Sequence, residues 1–436
     1  MIRTLDVFLW GQKVGSLVTY KERYIEKICF YFDYDFLDSG YDIAPLRASI
    51  HGTSVRNGLP VYAEESKIFG GLPSFIADSL PDHWGNKVFN EWAKVHQIKA
   101  RNLSALDRLT YIGRRGMGAL EFLPPAAEEM EEPFKVEIAD LYRLAQLTLN
   151  EATDFKAEIR PDFLVESLFK VGTSAGGRRP KAIINLNLKT GECYSGQVAA
   201  PLPGYIPVII KFDEHLDIPT TRIEYSYYLM AKDVGLNMMP SYLMEGERTA
   251  HFLTQRFDRR EGIKVHVLTL AAMNPTSNSY ESLFDTAYKI GVLPAEIKQL
   301  FLLTVMNVLG GNVDDHNKNF SFLMDDDGVW HIAPAYDFTF SIDPSAPGYV
   351  NRHCLTVGNK NFDIGRGDLL ELAERYNIRG ANAIIEKAIW VVSDYESYAK
   401  QAGVSSYWCH QIKEEMGYRI ANMSEIDGVG RTKDGL

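Results

Sequence analysis

Apolar positions alternate near the start of the chain and then shift to a helical period. Val7-Phe8-Leu9-Trp10 and Val14-Gly15-Ser16-Leu17 flank Gly11-Gln12, the pattern of two half-buried strands joined by a tight turn. Lys27-Ile28-Cys29-Phe30-Tyr31-Phe32 predicts a further strand. Phe75, Leu80, Val88, Trp92 and Val95 then recur broadly as one helical face, and Leu103 to Leu109 predicts a short helix ending before Gly113 and Gly116. Pro124 to Pro133 is bounded by prolines around an acidic middle with little to bury. It reads as a linker, with a solvated loop inside one domain as the alternative.

Beyond the linker, Val136 to Glu151 and Asp162 to Lys170 read as helices. Strands follow at Lys181 to Leu186, Pro207 to Phe212 and His251 to Phe257, with a helix from Arg222 to Val234. From Ser282 the pattern is mainly helical, and Pro294 opens a helix that Gly310-Gly311 breaks. A strand-rich half followed by a helix-rich half predicts an α+β chain of two lobes. The expected segments are 1–124, a linker at 125–134, a lobe at 135–260, a helical lobe at 261–426 and a polar, Gly-rich tail at 427–436.

At 436 residues the chain exceeds a single compact core, and 46% apolar with 24% charged residues is ordinary for a globular protein. No apolar run approaches a membrane span, and Met1 to Asp6 shows no signal-peptide pattern, so a cytoplasmic protein without membrane contact is expected. Cys29, Cys193, Cys354 and Cys409 lie far apart, which predicts buried free thiols rather than a disulfide framework or a zinc site. A net charge of −11 argues against a surface that is nucleic-acid footprint throughout, but leaves room for a local basic patch or a basic partner.

The chemistry concentrates in Asn312-Val313-Asp314-Asp315-His316-Asn317-Lys318-Asn319-Phe320 and in Tyr336-Asp337-Phe338. Phosphoryl transfer needs a group that orients the nucleophile, oxygen ligands for magnesium and cations on the phosphates. Asp314 suits the first role, with Asp315 as a competitor that the five-position offset to Asn319 disfavours. Asn319 and Asp337 suit the second. Lys318 is either a phosphate neutraliser or a solvated lysine, and His316 suits loop hydrogen bonding better than metal ligation. The plain alternative is that Asp314 and Asp315 cap the following segment while Asp337 sits in a turn.

Lys211 ends an apolar strand, and Glu224 lies on the first turn of the next predicted helix, the arrangement in which a strand lysine fixed by a helix glutamate reaches phosphates. An ordinary strand-end lysine is the alternative. Gln255-Arg256-Phe257 ends a strand and can offer backbone groups to an adenine. The turn through Ser174, Gly176 and Gly177 to Lys181 matches neither phosphate-loop signature, yet its glycines allow close backbone approach to phosphate. Ser174 is a phosphate acceptor candidate or a plain loop serine.

Taken in order, these segments resemble the HipA-like serine/threonine kinase toxins of bacterial toxin–antitoxin pairs. The resemblance spans essentially the whole chain. It runs from Trp10-Gly11-Gln12-Lys13-Val14-Gly15 and Phe75 to Asp82, through Ser174-Ala175-Gly176-Gly177, Pro180-Lys181, Ile209-Ile210-Lys211 and Glu224-Tyr225. Gln255 to Arg260, Asp314 to Ser321 and Tyr336-Asp337 complete it. It implies a bilobal kinase-like fold with an added N-terminal subdomain, Mg·ATP as cofactor and serine phosphorylation of a protein target.

By that resemblance Asp314 is catalytic, Asn319 and Asp337 hold Mg2+, and Lys211 contacts ATP. Glu224, Gly176, Gly177, Lys181 and Lys318 accompany it, and the adenine lies near the backbone of Gln255 and Phe257. Ser174 falls at the autophosphorylated serine that silences the kinase. The implied partners are a HipB-like helix-turn-helix antitoxin, operator DNA reached with it, and a protein substrate. Family targets include an aminoacyl-tRNA synthetase, but substrate identity depends on surfaces that no motif reports and does not carry over. Two departures stand out: the basic Gly177-Arg178-Arg179-Pro180, and Asp315, which is expected to add charge at the metal site. A catalytically weak corepressor or scaffold, or a small-molecule or lipid kinase, are the competing functions.

Overall fold

The computed structural model describes residues 3–65, 67–125, 134–149, 178–196, 203–346 and 350–424. The predicted linker's acidic middle, the helix at Asp162 to Lys170, the turn carrying Ser174, Gly176 and Gly177, and the tail lie outside the described residues. Two compact units emerge. The first comprises Met1–Thr221, Met239–Pro275 and Ser321–Ala333; the second comprises Arg222–Met238, Thr276–Phe320 and Pro334–Leu436. The expected boundaries at 124 and 260 both fall inside the first unit.

Every described strand belongs to the first unit. β1 (Thr4–Leu9), β2 (Gln12–Glu22), β3 (Ile25–Phe32), β4 (Val61–Tyr62) and β5 (Leu120–Leu123) form an antiparallel sheet in the order β4-β3-β2-β1-β5. Alternation sends Leu5, Val7 and Leu9 inward. The β1–β2 turn falls on Trp10-Gly11, one residue earlier than the sequence pattern suggests. Both residues have positive φ, 49° and 80°, the primed turn whose twist matches the flanking strands.

A second antiparallel sheet contains β6 (Lys135–Val136), β7 (Lys181–Leu186), β8 (Cys193–Ser195), β9 (Ile206–Lys211), β10 (Ser241–Glu245) and β11 (Ala250–Gln255). Its order is β10-β11-β9-β7-β8-β6. Helices α1 (His83–Val95), α2 (Ala105–Ile112) and α3 (Ile138–Leu149) belong to the same unit. Trp84, Val88, Phe89 and Trp92 of α1 share one core with Ala182, Ile184, Val208 and Ile210 of the sheet. The indole of Trp84 also donates to the Lys181 carbonyl at 2.8 Å. The N-terminal segment and the second sheet are therefore folded around common apolar contacts.

A buried ionic cluster adds to this join. After the small hairpin β12 (Arg259–Arg260) and β13 (Ile263–Lys264), the chain enters β14 (His266–Thr269), which pairs with β15 (Ser321–Met324) and then β16 (Trp330–Ile332). Asp258 accepts from Arg256 and Arg259 at 2.7 and 2.8 Å and from the Gly118 amide at 2.9 Å. Arg259 donates onward to the Gly116 carbonyl, and Lys264 to Glu121. Burial opposes the Asp258 charge, but the two guanidiniums outweigh it and hold the carboxyl well below its usual range. Burial pushes Lys264 down to about 8.

The second unit is helical. α4 (Thr220–Val234) enters it at Arg222, and α5 (Tyr280–Lys289), α6 (Pro294–Gly310), α7 (Arg366–Arg375), α8 (Ala381–Ser393), α9 (Tyr395–Ala402) and α10 (Ser406–Ser424) complete it. α6 is apolar nearly all round and packs against α5, α8 and α10, as a central helix must. Pro294 occupies its first turn, and Gly311 closes it in the left-handed region at φ 65°. Cys29 and Cys193 are buried, Cys354 is exposed and Cys409 is half-buried; all four are free thiols, so the expectation of uniform burial holds for two.

Candidate active site

The candidate residues form one group in each unit. In the first unit, β9 sits between β7 and β11, and the register places Lys211 opposite both Lys181 and Phe252. Opposed residues on adjacent strands project to one face. Lys181 and Lys211 are both buried there, and the Lys211 ammonium lies 5.7 Å from the centre of the Phe252 ring. Two lysines in register place their charge on one face of the sheet, which favours anions there. After Phe212, Asp213 accepts from the Thr221 amide at 2.8 Å and from the Thr220 hydroxyl at 2.7 Å, fixing the turn that follows Lys211.

Gln255 ends β11. Its amide donates to the Pro240 carbonyl at 2.9 Å, and the Arg256 amide donates to the Pro207 carbonyl at 2.9 Å. An antiparallel pair normally exchanges two bonds, but Pro240 has no amide hydrogen to return to the Gln255 carbonyl. Phe257 follows half-buried, and Asp258 beyond it is anchored as described. The Arg256–Asp258–Arg259 cluster thus immobilises the segment that the sequence assigns to adenine.

In the second unit, Glu224 is the fifth residue of α4, two positions further into the helix than the sequence pattern suggests, and is 1% exposed. Gly311 ends α6 and delivers the loop that carries Asp314. The Asp314 side chain is exposed, while its amide donates to Ser341 Oγ at 2.9 Å. Asn319 Nδ2 donates to the Asp314 carbonyl at 2.8 Å, which directs the amide nitrogen into the loop. The Lys318 amide donates to His316 Nδ1 at 3.3 Å, so His316 serves loop structure.

Asp337 is half-buried with φ 50°, a left-handed conformation that L side chains adopt at a cost and that clusters at functional sites. Its loop is laced to the Asp314 loop. Tyr336 Oη donates to the Lys318 carbonyl at 2.8 Å, and Asn312 Nδ2 approaches the Asp337 carbonyl at 3.5 Å. Asp314, Lys318, Asn319 and Asp337 therefore occupy two loops tied together by side chains of each loop on backbone carbonyls of the other.

Asp315 is engaged by its surroundings. Its fully buried carboxylate accepts from Tyr280 Oη at 2.7 Å, His353 Nδ1 at 2.8 Å and the Cys354 amide at 2.7 Å. Three donors occupy it, whereas the neighbouring Asp314 side chain is exposed. The sequence reading missed Ser341, Tyr280 and His353, and quoted Asn312 in the Asp314 stretch without a role. Tyr280 and His353 stand among other polar residues, Asn278-Ser279 and Asn351-Arg352, so local pattern gives them no signal.

Among the described residues no cluster of three His, Cys, Asp or Glu side chains forms a metal centre. A magnesium ion bound beside phosphates needs only one or two protein oxygens. The Asn319 amide oxygen and the Asp337 carboxylate are hard ligands of that kind, on loops already fixed to each other. No described helix is long and apolar enough to cross a membrane.

Comparisons with known proteins place these features. Residues 5–123 match the HipA N-terminal domain, and residues 173–421 match the HipA-like C-terminal domain. A Sinorhizobium fredii protein described as "Putative kinase Y4mE" is 25% identical over 366 residues, covering 78% of this chain and 78% of that protein. A chain from the Shewanella oneidensis MR-1 toxin–antitoxin complex of HipA, HipB and operator DNA matches with a TM-score of 0.66. That match covers 96% of this chain and 97% of the other at 16% identity, a likeness of fold. The architecture is the α+β, HipA-like kinase fold that the ordered motifs imply.

Proposed function

This chain belongs to the HipA family, and on that premise we propose that it is an ATP-dependent serine/threonine-protein kinase, the toxin of a HipA/HipB-type pair. The observation that carries the reading is the pair of laced loops. They present Asp314 to solvent and hold Asn319 and the left-handed Asp337 on the same scaffold. A capping role for Asp314 needs no such lacing and no strain at Asp337.

Asp314 orients the acceptor hydroxyl and takes its proton. Asn319 and Asp337 supply oxygen ligands, and Lys181, Lys211 and Lys318 neutralise phosphate charge. Mg·ATP supplies the transferable phosphoryl group and the cation that shields it. The Gln255 carbonyl and the Phe257 amide meet the adenine edge, with Glu224 as the partner assigned to Lys211. Gly176 and Gly177 approach the phosphates, and Ser174 is the autophosphorylation site. The fold shared with a chain from a complex of HipA, HipB and operator DNA supports a small helix-turn-helix antitoxin and operator DNA as partners. The acceptor is a protein; an aminoacyl-tRNA synthetase, a target class within the family, is the first candidate to test.

Purified chain incubated with Mg2+ and radiolabelled ATP is expected to label itself at Ser174 by phosphopeptide mapping, and Asp337→Ala is expected to abolish the label. Full labelling of the Asp337 variant would remove it from the metal site. Label found only at other residues would reject self-silencing at Ser174, and label confined to a small molecule in lysate would reject a protein acceptor.

A further inference from the structure

Behind the Asp314 loop, hydrogen bonds form a path of single polarity. The Asp314 amide donates to Ser341 Oγ at 2.9 Å, and Ser341 donates to Asn312 Oδ1 at 3.3 Å. Asn312 Nδ2 donates to Asn307 Oδ1 at 2.9 Å, and Asn307 Nδ2 donates to Tyr280 Oη at 3.0 Å. Tyr280 ends the path on Asp315 Oδ2 at 2.7 Å. The path leaves the backbone of Asp314 and returns at the side chain of its neighbour. Each member donates forward, so the bonds polarise one another in the same sense. Burial and the Asp315 charge push the Tyr280 phenol well above its usual range, which keeps it a donor.

A second arm reaches Asp315 from α10. Arg419 Nη1 lies 3.2 Å from His353 Nε2, and His353 Nδ1 lies 2.8 Å from Asp315 Oδ2. Arginine has no acceptor atom, so Nε2 accepts and the proton of a neutral imidazole sits on Nδ1. The same guanidinium donates to the Val308 carbonyl at 3.0 Å and, through Nε, to Glu415 at 2.9 Å. Asp315, His353 and Arg419 are each less than a tenth exposed. Partners from α5, α6, α10 and the 341–354 segment thus converge on one carboxylate adjoining the exposed Asp314.

We infer that Asp315, His353 and Arg419 form a positioning triad that sets the orientation of Asp314, so that α10 governs the turnover of the site. The inference rests on the phosphotransfer role of Asp314 and deepens it. None of the three touches the reacting atoms. Together they hold Asp315 inward and, through Tyr280, Asn307, Asn312 and Ser341, pin the Asp314 amide.

The test uses the full chain and its Asp315→Asn, Arg419→Met, Arg419→Lys and Ser341→Ala variants. Readouts are kcat and the ATP KM for autophosphorylation, the melting temperature, and hydrogen exchange over 312–320. Ser341→Ala alters a half-buried hydroxyl, so it is the variant chosen to fold whatever happens to the buried triad. Asp315→Asn and Arg419→Met are expected to lower kcat ten- to a hundredfold with the ATP KM within twofold, and to speed exchange of the loop. Ser341→Ala should speed exchange at Asp314 at least tenfold, and Arg419→Lys should retain kcat within threefold.

A folded Asp315→Asn protein with wild-type kcat overturns the triad. So does a fall in kcat with wild-type loop exchange, because Asp315 would then act chemically. If wild type transfers no phosphate, the kinase reading fails, and loop exchange in Ser341→Ala and Arg419→Met alone decides the positioning claim.

Discussion

Asp258 shows how one carboxylate holds two segments of the chain. It is fully buried between Arg256 and Arg259 and takes the Gly118 amide, so removing its charge leaves two guanidiniums buried without compensation. Asp258→Asn is expected to destabilise the first unit by about 3–5 kcal/mol, the cost of breaking a buried pair from one side, as read by chemical denaturation. A loss below about 1 kcal/mol would place the stability of the join in the apolar contacts of α1 instead. At this scale the sequence was partly readable. Asp314 and Asn319 are legible because their relation is local, five positions along one loop. The orientation of Asp315 is not, because Tyr280 and His353 lie 35 and 38 residues away.

Elements were legible wherever a period could accumulate. The alternation in β1 and β2, the apolar strands β7 and β9, and α6 between Pro294 and Gly311 follow from side-chain spacing and terminal residues. β6 has two residues, too few for any period, and exists because it pairs with β8. Gly311 links an element to the site. A Cβ there would meet Ile342 Cδ1 at 3.0 Å and Phe340 Cε2 at 3.3 Å, in a backbone conformation that already favours glycine. Gly311→Ala is expected to cost about 1–2 kcal/mol in thermal unfolding and to reduce phosphotransfer by displacing the Asp314 loop. An unchanged rate in that variant would detach the helix terminus from the chemistry.

β14 carries the other element-scale prediction. His266 is buried, its Nε2 lies 3.1 Å from the Ile43 carbonyl, and burial pushes its imidazole down to about 4. Above pH 6.5 the ring is neutral in folded and unfolded chains alike. As pH falls from 6.5 toward 4, the unfolded chain takes a proton that the folded one refuses, so stability drops by up to about 3 kcal/mol and levels off below that window. Urea midpoints at pH 7, 5.5 and 4.5 are expected to fall more steeply for wild type than for His266→Phe. Parallel slopes would show that other groups set the acid sensitivity.

For the whole molecule, composition and order of motifs anticipated an α+β chain with a strand-rich and a helix-rich part. They did not anticipate the interleaving. Residues 321–333 fold with the strands, and 222–238 with the helices, because β15 pairs with β14 and Tyr227 of α4 is buried against Gly310 of α6. Such pairings join positions far apart in sequence, where local spacing carries no signal. The net charge of −11 likewise said nothing about the two lysines buried in register on one sheet. The most direct test of the central claim is mass spectrometry of the phosphoproteome when this chain is expressed beside its Asp314→Ala variant. The account predicts phosphoserine on Ser174 and on a small set of proteins, with an aminoacyl-tRNA synthetase the first candidate, present with the wild type and absent with the variant. Identical phosphoproteomes from two equally folded, equally abundant chains would contradict it.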